Sequence, residues 1–432
     1  MSLDSHFKIT ERGSTLGTEL ISGITTFATL AYILLINPQI LAKTGMDFGA
    51  VMTATCLTAA LATIMMGLYS DFPFALAPGM GLNAFFTYSL VLKEGYTWQE
   101  ALAICFLSGT FLLILNVFGI REAIMEAIPK ELRIGTVAGI GLFIMYIGLK
   151  DIQLIIPHPE TYTSSGNLSE PSIWLALGGV AVIAALLNLR VKGAILIGIL
   201  LTFLAGLMSG KAEFKGLVSL PPSIESTFFA LDFGILTEEK ALYAAFSLTL
   251  INIFDASGTF LGLLRQGGYL KESSLPKEVR NALYCDGAGT VLGSFLGTSP
   301  ITTYLESLAG IAQGGRTGLV SLTVAFLFLV SLFFLPLASS IPSFATAPAL
   351  IIIGCMMMHD YKEIPADDPS LAVPAALTAI CIPLTYSIGT GIGLGFILYT
   401  AIKLILGKWR DLSFVSIAIA LAFLFKFFFL SF

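Results

Sequence analysis

The sequence predicts an all-α polytopic membrane protein of about fourteen transmembrane segments, arranged as two seven-segment halves of opposite orientation. Three observations carry this. Of 432 residues, 56% are hydrophobic and 12% charged, and mean hydropathy is +0.88, whereas soluble domains carry about 25% charged residues. Two apolar segments are interrupted, one at Ala77-Pro78-Gly79-Met80-Gly81-Leu82-Asn83 and one at Gly297-Thr298-Ser299-Pro300-Ile301-Thr302-Thr303. Third, the basic residues sort by side. With the N-terminus in the cytoplasm, Lys43, Lys93, Lys150, Lys211, Lys215 and Lys240 fall in outer loops and Lys426 is unassigned. The other sixteen of the 23 Lys and Arg fall in inner loops, among them Arg121 and Lys271. That bias is the one expected of a correct count of spans.

The segments follow from the apolar runs. The first covers 17–36, ended by Asn37-Pro38, and the second 50–69. The third is broken at Pro78-Gly79 and runs to 92, and the fourth is 101–118. The stretch 121–133 alternates charged and apolar residues, as an interfacial helix does. The fifth to seventh are 135–149, 173–189 and 193–208, and the polar stretch 211–240 separates the halves. The eighth to fourteenth are 241–264, 282–296, the broken 299–312, 318–337, 342–358, 371–388 and 391–406. The apolar run 414–430 contains Lys426 and reads equally as a further span or an interfacial helix. Seven segments per half start the halves on opposite sides, so any repeat relating them is inverted.

Composition excludes several classes. Five cysteines stand singly in apolar segments, without the spacing of a disulfide framework or a zinc site. The three histidines (His6, His158, His359) lie outside the spans and assemble no catalytic set. No basic, aromatic-interleaved patch points to nucleic acid. The polar N-terminus leads into a retained span and reads as an anchor, not a cleaved leader.

What remains is chemistry at the two breaks. Pro removes a backbone donor and Gly weakens a helix. Irregular backbone at membrane depth survives only where protein or a water-filled cavity solvates it. Broken segments in corresponding positions of two halves point to a transporter's binding site. Two carboxylates sit at membrane depth nearby, Asp255 in the eighth segment and Glu306 in the tenth. Such groups face a cavity, a partner or a substrate. Removed from water, a carboxyl holds a proton more readily, so both are candidates for substrate binding and proton coupling. Asn83 supplies an amide at the third-segment break, and Asn252, three residues before Asp255, shares its helical face. Gly81, Phe85, Phe254, Thr302 and Thr303 complete the candidate substrate-binding set. The aromatics could stack on a planar ligand, and the threonines could bond a ligand or cap the broken helix.

The runs Ala75-Leu76-Ala77-Pro78-Gly79-Met80-Gly81-Leu82-Asn83-Ala84-Phe85-Phe86 and Thr302-Thr303-Tyr304-Leu305-Glu306-Ser307 resemble the AzgA-like purine permeases. So do Gly314-Gly315-Arg316-Thr317-Gly318-Leu319 and Ala345-Thr346-Ala347-Pro348-Ala349-Leu350. These permeases are a branch of the nucleobase–cation symporter 2 family. The resemblance implies a uracil-permease-like fold: core and gate domains, with short strands in the broken third and tenth segments. On that reading 1–16 is a cytoplasmic N-terminus, 17–134 and 241–340 form the core, and 135–209 and 341–410 the gate. The stretch 210–240 is an extracytoplasmic linker and 411–432 an apolar C-terminal segment. It also places Asn83 at the family's important third-span Asn, Asp255 at its eighth-span carboxylate and Glu306 at the tenth-span Glu that contacts the base. One departure stands out: the family pattern around the eighth segment resembles Asp-x-Phe-Asp, and its first acid is Asn252 here.

The expected activity is import of a purine nucleobase (hypoxanthine, guanine or adenine) by proton symport with alternating access. No cofactor is implied, and H⁺ is the expected coupling ion with Na⁺ as the alternative. The bilayer and a second copy of the chain are the expected partners, in a cell membrane. Alternatives are a permease of this fold for uracil, xanthine or a small anion, a weakly coupled facilitator, a channel, and an intramembrane enzyme, for which no nucleophile–base pair or metal set is present.

Overall fold

The computed structural model describes residues 3–269 and 277–430. Lys271, expected in an inner loop, and the ends of the 1–16 and 411–432 divisions lie outside the described residues. Among the described residues, nine helices are long and apolar enough to cross a membrane, from Leu16–Ala42 to Ile388–Ile405. The shorter helices Met80–Val91, Ala194–Met208 and Pro369–Thr385, the helix Lys277–Leu296 and the broken tenth segment complete the fourteen expected segments.

Many segments begin on a polar cap that satisfies the first free backbone N–H groups. Thr15 accepts from Thr18 N, Asp47 from Ala50 N at 2.7 Å, and Thr317 from Leu319 N. Thr97 and Glu100 form a reciprocal capping box. The first segment differs from expectation. It does not end at Asn37-Pro38. It turns tightly at Ala31-Tyr32, where Leu34 N and Leu35 N bond to Ala31 O and Tyr32 O. It then continues as a helix Ile33–Ala42 with Pro38 inside. Pro38 removes only its own N–H, a loss that neighbouring helices offset at membrane depth.

The stretch after the fourth segment is also corrected in part. A helix does form, Ile120–Ala127, but Arg121 is not an interfacial cation: its side chain is fully buried. The C-terminal helix Phe414–Phe425 starts where Ser413 Oγ donates to Ala127 O. It reaches the other end of the bundle, where Lys426 Nζ lies 3.5 Å from Ser247 Oγ and faces Glu94. Burial pushes the Glu94 carboxyl up, and Lys426 and Lys93 oppose this.

Four ion pairs agree with the count of crossings, because each of them joins segment ends or loops that the count puts at one end. Arg12–Asp71 and Lys130–Glu363 lie at the N-terminal end, and Lys43–Asp151 and Lys211–Glu170 at the opposite end. Helix packing falls into two sets. Segments one, two, four, eight, nine and eleven pack mainly among themselves, and segments five to seven and twelve to fourteen do likewise. Small residues allow close crossings: a Cβ on Gly67 would meet Gly318 O at 2.6 Å.

Among the described residues, four short strands form two sheets, β1 (Leu76–Pro78), β2 (Ile155–His158), β3 (Tyr162–Ser165) and β4 (Ile301–Thr303). The β2–β3 hairpin is at the surface. The other pair is buried: β1 runs antiparallel to β4 with Leu76 opposite Thr303, Ala77 opposite Thr302 and Pro78 opposite Ile301. The two broken segments therefore meet backbone to backbone at the centre of the first packing set.

Candidate binding site at the paired broken segments

The site is built on that ladder. Gly79 N donates to Pro300 O and Tyr304 N to Ala75 O, each at 3.0 Å, extending the pairing past both strand ends. Thr63 Oγ1 brackets Leu76 through its N–H and carbonyl, and Thr290 Oγ1 brackets Ile301 in the same way. Gly79 has a steric reason: a Cβ there would lie 2.8 Å from Thr302 Cγ2.

A polar knot braces the strands from the first segment. Asn37 Nδ2 donates to Thr55 Oγ1 at 2.8 Å and Thr298 Oγ1 at 2.9 Å. Its Oδ1 accepts from Asn83 Nδ2 at 3.3 Å and Ser299 Oγ at 3.2 Å. All five side chains are completely buried. Asn83 is thus held by its donor end, while its Oδ1 has no partner. The Thr302 hydroxyl sits beside the Asp255 carboxyl, yet neither it nor the Thr303 hydroxyl makes a well-formed hydrogen bond. Buried polar atoms left open in this way need an explanation, and a polar ligand between the two segments would supply partners.

Glu306 follows β4 and heads the short helix Ser307–Ile311. Tyr32 OH donates to its Oε1 at 2.5 Å, which uses the turn that breaks the first segment. Asp255 lies on the eighth segment with Asp286 and Glu306 as its acidic neighbours. Asp255 and Glu306 are partly accessible, while Asn83, Phe85, Phe254, Thr302 and Thr303 are buried. Accessibility continues toward the N-terminal end through Gly258, Thr259 and Leu305. Toward the other end the eighth segment is buried from Ser247 to Phe254. There, polar bonds join the first and third segments to the second packing set: Lys43 to Asp151, Ser89 Oγ to Tyr386 O, and Lys93 Nζ to Thr385 O.

The remaining expected residues stand slightly apart. The Phe254 ring packs 5.7 Å from Phe396 of the fourteenth segment. Gly81 faces the fifth segment, where a Cβ would lie 2.7 Å from Ile140 Cγ2. Asn252 is engaged elsewhere: its Oδ1 accepts from Arg121 and its Nδ2 donates to Ile301 O. Sequence reasoning missed Tyr32, Asn37, Arg121 and Asp286. The rule that picked out Asp255, an acid at membrane depth, also fits Asp286. Glu19, in the first turn of the first segment, is also fully buried, and its carboxylate accepts from Arg316 N and the N–H and hydroxyl of Thr317, a structural arrangement at the segment's end.

Two packed sets of membrane helices, with carboxylates at the meeting point of two broken segments, define a membrane permease and not an enzyme. The chain belongs to the Permease family, Xan_ur_permease, whose pattern it matches over residues 17–425. It is 42% identical to the adenine permease AdeP of Escherichia coli K12, over 98% of this chain and 95% of that protein. It is 40% identical to the guanine/hypoxanthine permease PbuO of Bacillus subtilis 168, over 98% of this chain and 100% of that protein. In fold it is similar to the transmembrane domain of the cyanobacterial bicarbonate transporter BicA. The TM-score is 0.69 at 16% identity, covering 87% of this chain and 97% of that one, a likeness of fold alone.

Proposed function

We propose that this permease imports a purine nucleobase (hypoxanthine, guanine or adenine) by proton symport with alternating access, in a cell membrane with its N-terminus in the cytoplasm. The observation that carries the reading is that two carboxyls, Glu306 and Asp255, are partly accessible where the broken segments meet. Relatives named as adenine and guanine/hypoxanthine permeases support the substrate class.

The chemistry is complementary. A purine presents ring and exocyclic N–H donors beside ring-nitrogen acceptors. An ionised carboxylate only accepts, a protonated one also donates, and an amide or hydroxyl does both. Glu306 and Asp255 would take the N–H groups, and the open Asn83 Oδ1 and Thr303 hydroxyl would complete the polar contacts. Because a protonated carboxyl also donates, to a ring nitrogen or carbonyl of the base, a proton taken up by one of the two acids while the other accepts an N–H would favour base binding, which is the sign of linkage that symport requires. The polar bridge at the far end and the accessible path at the N-terminal end suit a transporter facing one side at a time.

Removing the Tyr32 hydroxyl deprives Glu306 of the side-chain donor that Tyr32 supplies. Tyr32→Phe is expected to raise the purine KM about tenfold, the worth of one hydrogen bond to a charged group, with little change in protein level. The substrate class is tested on purified protein by thermal unfolding. A base at about a hundred times its Kd stabilises by about 2.7 kcal/mol, so a purine should raise Tm where uracil does not. Stabilisation by uracil and by no purine would contradict the reading.

A further inference from the structure

Behind β4 lies a charged unit that the transport reading does not use. Arg121 projects from the helix Ile120–Ala127, which links the fourth segment to the fifth, and its side chain is completely buried. Its Nη2 pairs with Asp286 Oδ2 and also donates to Asn252 Oδ1 at 3.2 Å, while Nη1 donates to Leu283 O at 2.9 Å. Asn252 then donates from Nδ2 to Ile301 O at 3.3 Å, the residue of β4 opposite Pro78. Asp255 stands three residues further along the same helix.

We propose that Arg121, Asp286 and Asn252 are positioning residues for transport: a charge-balanced buried unit that holds β4, and hence Thr302, Thr303 and Glu306, against the eighth segment. The amide is essential to this arrangement. It accepts from the guanidinium and donates to the strand, whereas an ionised carboxylate could accept but not donate. One cation facing one anion keeps the unit neutral, and a buried pair fails mainly when one member is removed. The inference rests on the purine-symport reading for its transport readout, and on folding alone for its second.

The first arm is uptake by Asn252→Asp at two external pH values. The charged groups around position 252 are Arg121 on the linking helix, Asp286 on the ninth segment, Asp255 on the eighth and Glu306 after β4. With an ionised Asp the bond to Ile301 O is lost, and protonation restores it. Relative to wild type at the same pH, KM should rise about fivefold at alkaline pH, one net hydrogen bond's worth, and return toward wild type in acid. An equal rise at both pH values, or none at either, would overturn the proposal. The second arm is thermal stability in detergent of Arg121→Gln, Asp286→Asn and the double variant, which needs no substrate. Each single change should lower Tm and the double change should recover most of the loss. A double variant no better than the worse single one would overturn the proposal. If wild type carries no purine, the functional reading fails and this second arm still decides the unit.

Discussion

Glu306→Gln is expected to abolish uphill purine accumulation while leaving a folded protein of normal abundance. Gln keeps the shape and one acceptor, and Tyr32 OH, now 2.5 Å from Oε1, retains a partner. What disappears is the exchangeable proton and the negative charge. A proton-coupled carrier then loses its link between gradient and substrate. Uptake driven by acid outside should fall by at least about a hundredfold, since an essential acid or base commonly contributes 10²–10⁴-fold where proton transfer is required. Residual exchange of labelled for unlabelled base, insensitive to pH, is the expected remnant. Counterflow in vesicles separates the two, and full acid-driven accumulation by the variant would remove Glu306 from coupling.

Asn37→Ala is expected to be the most damaging single change to the scaffold of the site. Asn37 joins the first, second, third and tenth segments through four hydrogen bonds among fully buried groups. Interhelical hydrogen bonds in membranes average about 0.6 kcal/mol each, so the set is worth about 2 kcal/mol. Stranding Thr55, Thr298, Ser299 and Asn83 adds to that. A drop in detergent Tm of several degrees, with purine uptake lost, is the expected result. Asn37→Asp should cost less than Asn37→Ala but still lower Tm, because a carboxylate accepts from Ser299, Asn83 and a turned Thr298 hydroxyl, while Thr55, whose own O–H donates to Val51 O, loses its donor. A Tm unchanged in both variants would show that the knot does not brace the strands.

The sequence announced the two breaks because Pro78-Gly79 and Ser299-Pro300 violate the chemistry of a plain membrane helix, and violations are local. Asp255 and Glu306 were visible for the same reason: each is an acid in an apolar run. The brace around them was not visible. Asn37 reads as a helix end because Asn-Pro ordinarily stops a helix; the folded chain breaks six residues earlier and carries the proline inside. Arg121 stood among five other charged residues and looked like a surface group, and its anion, Asp286, lies 165 residues away. Tyr32 sits in an apolar run where a phenol attracts no notice until Glu306 is folded against it. Local chemistry is written in spacing, whereas partners brought together by the third dimension are not.

The most direct test is uptake of radiolabelled adenine, guanine and hypoxanthine into cells lacking their own purine permeases, at two external pH values, with and without an uncoupler. The account predicts saturable accumulation of at least one of these bases above its external concentration, faster in acid and collapsed by the uncoupler. No saturable uptake of any of the three, or uptake that stops at equilibrium whatever the pH, would contradict it.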